Sequence, residues 1–147
     1  MTISSTDAQI AAVSKRLETL AGRLKQPTIA NKAASIALYG RVIRNFDQQG
    51  AMDGKWAPLA ASTIKQKAKL GKEQMLVRTG HLRAGFVPFH DAHNAGVRNE
   101  VTYAKFHHEG TSRLPKRNLL PSRAAVIDIG IKVYGHYVHE WAKEANA

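Results

Sequence analysis

Apolar residues open the chain at steps of three and four: Ile10, Val13, Leu17, Leu20 and Leu24 all fall on one stripe of an α-helix. Thr6 followed by Gln9 fits a capping box, Asp7 suits the positive end of the helix dipole, and Gly22 and then Pro27 close the segment. Burying five such side chains contributes on the order of 10 kcal/mol before chain entropy is subtracted. The helix is therefore expected to pack against something. The spacing also suits a coiled-coil seam, but barely two heptads are present, and ordinary core packing is the expectation.

A second helix is predicted from Thr28 to Gln48. Ile29, Ala33, Ile36, Gly40 and Ile43 share one face, and Leu38, Val42 and Phe46 share another. A helix apolar on two sides sits between two layers, or between its own domain and a neighbouring subunit. Gly50 and Gly54 end it. After Trp56 to Leu59, Ser62 or Thr63 can cap a short helix that runs to Leu70 and stops at Gly71.

From Met75 the texture changes to short apolar clusters, Leu76 and Val77, then Phe86, Val87 and Phe89, then Val97, Val101 and Tyr103, divided by turn formers at His90 to Asn94 and Gly96. This predicts a small antiparallel sheet. Tyr103 to Glu109 reads as one or two helical turns ended by Gly110, and Gly110 to Pro121, with two prolines and three basic residues, as an extended loop. A loop of that length is expected to reach something. Val126, Val133, Tyr137 and Trp141 give Ser122 to Asn146 a helical period despite Gly130 and Gly135; a strand over Ala125 to Ile129 is the rival reading. The expected fold is α+β: two N-terminal helices and a C-terminal helix packed on a small antiparallel sheet, in a single domain over residues 1–147 with an extended loop.

Length and composition allow a self-sufficient core. The chain has 147 residues, is 44% hydrophobic and has no cysteine, which removes thiol catalysis, thiolate zinc sites and a disulfide scaffold. No apolar run approaches a membrane span and the start lacks the pattern of a signal peptide, so a soluble cytoplasmic chain with no membrane partner is expected. The formal net charge is +11, spread with no third of the chain dominating. The densest stretch holds Lys65, Lys67, Lys69, Lys72, Arg78 and Arg83, relieved by Glu73. On a helix Lys65, Lys69 and Lys72 share a face and Lys67 points elsewhere. A solvated face is the plain reading; contact with nucleic acid or an acidic partner is the functional one. No aromatic residue lies between Lys65 and Arg83, so a stacking platform for single strands is missing there.

The sequence presents little catalytic chemistry. His136, His139 and Glu140 have a spacing that can share a helix face, but the HExxH order is absent; His90 with His93 and His107 with His108 lie where no single geometry is fixed. No GxSxG elbow and no phosphate-cradling GxxxxGK[ST] occurs. No enzyme, cofactor or metal site is expected.

More specific are four irregular segments: Trp56, Pro58, Leu59 and Thr63 with Lys67; Leu76 to Leu82, which includes Arg78, Thr79, Gly80 and His81; Tyr103, Ala104, His107, His108, Glu109, Gly110 and Thr111; and Leu114, Pro115, Arg117, Asn118 and Leu119. In this order, over roughly Phe46 to Leu120, they resemble the phage virion morphogenesis family, whose pattern runs W.PL…T…K, L..TG.L, YA..H..G and P.R..L. The family includes the tail completion proteins of contractile-tailed phages and the G protein of Mu-like phages. The resemblance implies a non-enzymatic virion part at the neck, made in the host cytoplasm, which completes the tail and joins it to the head as a ring of about six copies. Its partners would be itself and other neck, tail tube or sheath terminator, or head connector proteins, with genome DNA passing through unbound.

Trp56, Pro58, Leu59, Thr63, Thr79, Gly80, Leu82, Tyr103, His108 and Gly110 are then expected to maintain the fold, with Gly80 free to take φ > 0 and aim Leu82 into the core. Subunit or partner contacts are expected from Ile36, Ile43 and Phe46 on the second helix and from Arg113, Lys116, Arg117 and Leu119 in the loop, because a long charged loop gains little from its own domain. A basic bore would hold DNA phosphates, so Lys65, Lys69 and Lys72 are expected to face away from it. The competing reading is a basic nucleic-acid-binding module; a metal hydrolase using His136 is a distant third.

Overall fold

The computed structural model describes residues 5–71 and 74–146, with side chains from residue 7. The expected Thr6 cap and Lys72 of the basic run lie outside the described residues. Six helices and a hairpin follow in chain order: α1 (Ser5–Lys25), α2 (Thr28–Asp47), α3 (Ala61–Lys69), α4 (His81–Ala84), β1 (Phe86–His90), β2 (Ala95–Asn99), α5 (Ala104–Glu109) and α6 (Arg123–Asn146). The α+β class expected from the sequence is what forms.

Helix α2 is the centre of the fold. It packs against both strands of the hairpin and against α6, while α1 rests on α6. Its inward face is Ala30, Ala34, Leu38, Val42 and Phe46, and Ile29 and Ile36 on the other face stay exposed. The predicted two-faced helix is thus present, but Phe46 is on the inward side. Its ring stands edge-on to Trp56 at 5.2 Å and to Phe86 at 5.6 Å, within a core completed by Val42, Leu82, Ala104 and Leu119. With 1% exposure each, Phe46 and Leu119 have no surface for a partner, which corrects their reading as interface residues. Both follow the same rule: a large apolar side chain next to a tryptophan-centred cluster is more stable inside it.

Buried polar groups tie these layers together. Tyr134 of α6 donates its hydroxyl to Asn31 Oδ1 at 2.6 Å, and Asn31 Nδ2 donates to the Asp91 carbonyl at 2.9 Å, so one asparagine on α2 links α6 to the hairpin turn. Asn45 Nδ2 and Trp56 Nε1 both donate to the Asn118 carbonyl. The hairpin is antiparallel, pairing Phe86 with Asn99 through His90 with Ala95, and Asp91 closes its turn by accepting from the backbone N–H groups of His93 and Asn94.

Several local expectations are corrected. The sheet is this hairpin alone among the described residues; Leu76 takes φ +58° in a turn rather than a strand, and Val101 and Tyr103 lie beyond β2. Helix α3 begins after Ala60 with no side-chain cap, earlier than a Ser62 or Thr63 cap would set it. Residues 123–146 are helical, not a strand, because their apolar period continues through both glycines. The α1 stripe is not core: Ile10, Val13, Leu17 and Leu24 are 49–62% exposed.

Candidate functional site

The four irregular segments converge on one cavity of about 770 Å³. Pro58, Leu59, Thr63 and Lys67 form one side, running from the Trp56 segment into α3. Leu76, Thr79, Gly80 and Leu82 form a second, at the turn before α4. Tyr103 and His107 of α5 meet Arg113, Leu114, Pro115 and Arg117 of the loop to complete it. None of α1, α2 and α6 contributes to this lining.

Local chemistry places each wall. Gly80 has φ +85° and starts α4, a conformation disfavoured for residues with a Cβ, and Leu82 then points into the core at 3% exposure. Gly110, at φ +81°, ends α5 and turns the chain back so closely that a Cβ there would lie 2.9 Å from the Lys116 nitrogen. Thr111 Oγ1 accepts from the Leu114 N–H at 3.0 Å, tightening the turn. The returning strand of the loop is pinned to α5 twice: the Arg117 N–H donates to the His107 carbonyl at 2.8 Å, and the Leu119 N–H to His108 Nδ1 at 3.1 Å.

Arg117 then fastens the loop to the first wall. Its Nε and Nη2 donate to the Ala57 carbonyl at 3.1 and 3.0 Å, and Nη2 also reaches the Pro58 carbonyl at 3.3 Å. The residue is 5% exposed, so Arg117 does not project outward from the loop as a long charged loop suggests but is turned into the subunit. A guanidinium carries five N–H donors, and a loop with unpaired carbonyls has more use for them than water does. Lys67 behaves similarly, donating Nζ to the Val77 carbonyl at 3.2 Å.

Arg117 brings a buried positive charge to the cavity wall. Among the described residues no carboxylate pairs with Arg117, and burial draws its guanidinium below the ordinary value. Burial, and then the charge of Arg117, depress the His107 imidazole, whose Nδ1 is buried with no hydrogen-bond partner. Tyr103 is 41% exposed and edge-on to the His107 ring at 6.0 Å; it is a wall of the cavity, not part of the core. Among the described residues, no group of three or more His, Cys, Asp or Glu side chains is placed to hold a metal ion, and no helix is long and apolar enough to cross a membrane.

The predicted residues therefore separate. Pro58, Leu59, Thr63, Thr79, Gly80, Leu82 and Tyr103 come together at the cavity, joined by Arg113 and Arg117. Trp56 is buried in the core behind them, Ile36 and Lys116 are exposed, and Ile43 is half-buried. Sequence reasoning missed Gln66, Leu70 and the role of His107. Nothing in their local spacing signals a cavity formed by four separate segments.

No curated protein and no solved structure matches the chain. The model of the phage virion morphogenesis family matches residues 8–131, a span that includes every segment lining the cavity, and the chain thus belongs to the phage virion morphogenesis family, with a role in assembling the phage particle.

Proposed function

We propose that the protein is a structural, ring-forming subunit of the virion neck, which completes the tail and joins it to the head. The observation that carries this is the uncovered apolar surface of the three long helices. Large apolar side chains are exposed at Ile10, Val13, Leu17 and Leu24 on α1, at Ile29 and Ile36 on α2, and at Ile127, Ile131 and Val138 on α6. Each contributes up to roughly 1.5–3 kcal/mol when taken fully out of water, and this many large apolar side chains left in water on three helices favour an interaction surface. Within the subunit α1 has little else to hold it than α6.

A second copy suits this surface. Although the chain is strongly basic, α6 balances Arg123, Lys132 and Lys143 against Asp128, Glu140 and Glu144, and it pairs Lys132 with Asp128 and Lys143 with Glu140. Charge repulsion between copies is therefore weakest over α6, where Ile127, Ile131 and Val138 are exposed. If one face of each subunit meets a different face of the next, the contact is heterologous and closes into a ring when the rotation permits, here of about six copies. Its partners would be neck, tail terminator or head connector proteins, with DNA passing through a bore not lined by Lys65 and Lys69.

Light scattering after size exclusion tests the ring, with Ile131→Glu and Ile36→Glu as variants and head or tail components added. The wild type is expected to form a closed oligomer that either variant reduces to monomer with its helix content intact. Phage lacking the protein should accumulate filled heads and separate tails. Complete infectious particles without it would refute the proposal, and salt-dependent binding to random duplex near physiological salt would favour the nucleic-acid module instead.

A further inference from the structure

We propose that the cavity between α3, the 76–82 turn and the 110–117 loop is a docking site for an acidic peptide segment, anchored by an apolar side chain, from another virion protein. The inference uses the assembly role of the family but not the placement at the neck.

Two properties of the lining define the occupant. The walls are aliphatic at Leu59, Leu70, Leu76, Leu82 and Leu114, and a volume of about 770 Å³ is in the range of ligand-binding clefts. Arg113 and Arg117 bring positive charge to this lining. Arg117 is the decisive one: it is buried, its bonds through Nε and Nη2 go to neutral carbonyls, and Nη1 makes no hydrogen bond to any described residue. A guanidinium held this way has its charge uncompensated and a donor pair left over, which a carboxylate satisfies in the charge-assisted geometry arginine favours.

Other occupants fit less well. A phosphodiester backbone offers the arginines a charge but brings nothing to cover five leucines, and the two rings of the lining, Tyr103 and His107, stand edge-on to each other and make no parallel stacking platform for bases. Another copy of this chain carries +11 and meets the cavity with like charge. An acidic segment with a leucine-like side chain matches both halves of the lining.

The test uses the full chain against overlapping peptides tiled across the other virion proteins of the same phage, followed by fluorescence anisotropy of the bound peptides at about 150 mM salt. Bound peptides are expected to share net negative charge and an apolar anchor. Arg113→Glu and Leu114→Glu, both at exposed positions and so not dependent on the core, should each weaken binding at least about tenfold, with unchanged thermal melting; Lys143→Glu on α6 should not weaken it. Absence of any bound peptide, a basic bound set, or binding indifferent to both loop variants would overturn the proposal. So would duplex DNA bound more tightly than any peptide and weakened by the same variants. A monomeric protein in light scattering would count against the ring alone and leave the peptide result standing.

Discussion

Asp53 is the residue whose replacement reads out the structure most directly. It sits in the turn after α2, with its side chain fully buried, and accepts three hydrogen bonds: from Arg41 Nε at 3.0 Å, from Arg41 Nη2 at 3.1 Å and from the backbone N–H of Ser122 at 3.0 Å. Arg41 is on α2, and Ser122 caps the start of α6, its Oγ accepting from the Ala125 N–H. One carboxylate thus holds the end of the long loop and the first turn of α6 against the central helix. Burial alone would raise its pKa, but the Arg41 and Ser122 bonds, with the charge of Arg41, outweigh burial and hold it below the ordinary value.

Asp53→Asn keeps the shape and removes the charge. Breaking a buried ion pair costs about 3–5 kcal/mol, but Arg41 retains 24% side-chain exposure and recovers some hydration, so the expected loss is at the lower end, about 3 kcal/mol. A loss of that size is a large fraction of a domain's usual stability of roughly 5–15 kcal/mol and lowers a urea midpoint by ~1–3 M. Urea titration followed by tryptophan fluorescence measures it. The sign with pH is also fixed: a carboxylate with a depressed folded pKa contributes stability above its unfolded value of about 3.9, and this is lost as pH falls through the folded value. The gap between wild type and variant should therefore close below about pH 4. With Arg41→Met already present, Asp53→Asn should cost much less. A variant within about 0.5 kcal/mol of wild type at neutral pH, or a gap that persists unchanged into strong acid, would refute this reasoning.

Three further outcomes follow from local geometry. Gly130→Ala and Gly135→Ala, in α6 where an added Cβ meets nothing within 4 Å, should each raise the stability of the isolated subunit by about 0.5–1 kcal/mol in denaturant titration. Gly80→Ala, at φ +85° in open space, should cost about 1–2 kcal/mol, whereas Gly50→Ala should cost clearly more, since its Cβ would lie 2.4 Å from the Trp56 ring. The depressed His107 pKa means that the unfolded chain takes up a proton first as pH falls below about 6.5. Melting temperature should decline through that window and level off below the folded pKa, and His107→Gln should flatten the slope.

What could be read from the sequence was periodic or conformational. The helices from Thr28 and to Asn146, the turn at Gly80 and the stop at Gly110 were legible because a 3.6-residue apolar period and a positive φ leave local signatures. Polar residues with a tertiary role left none. Arg117 looked like a surface charge because its neighbours in sequence are basic and proline-rich; its partners are the carbonyls of Ala57 and Pro58, some sixty residues earlier. Leu119 was indistinguishable from Leu120, and only the fold puts the first at 1% exposure and the second at 36%.

The first helix shows a different limit. Its stripe correctly predicts a helix with an apolar side, but periodicity does not name what covers that side, and α6 covers it only in part. The same holds for Ile36 on α2 and Ile131 on α6, while the tightly packed core gathers around Phe46, Trp56 and Leu119. A subunit that stays alone gains nothing from long helices with isoleucines in water, whereas one that closes against copies of itself recovers that burial on assembly. In the proposed ring, then, the segments carrying the family motif build a rigid core and its cavity, and the long helices are completed by the next subunit.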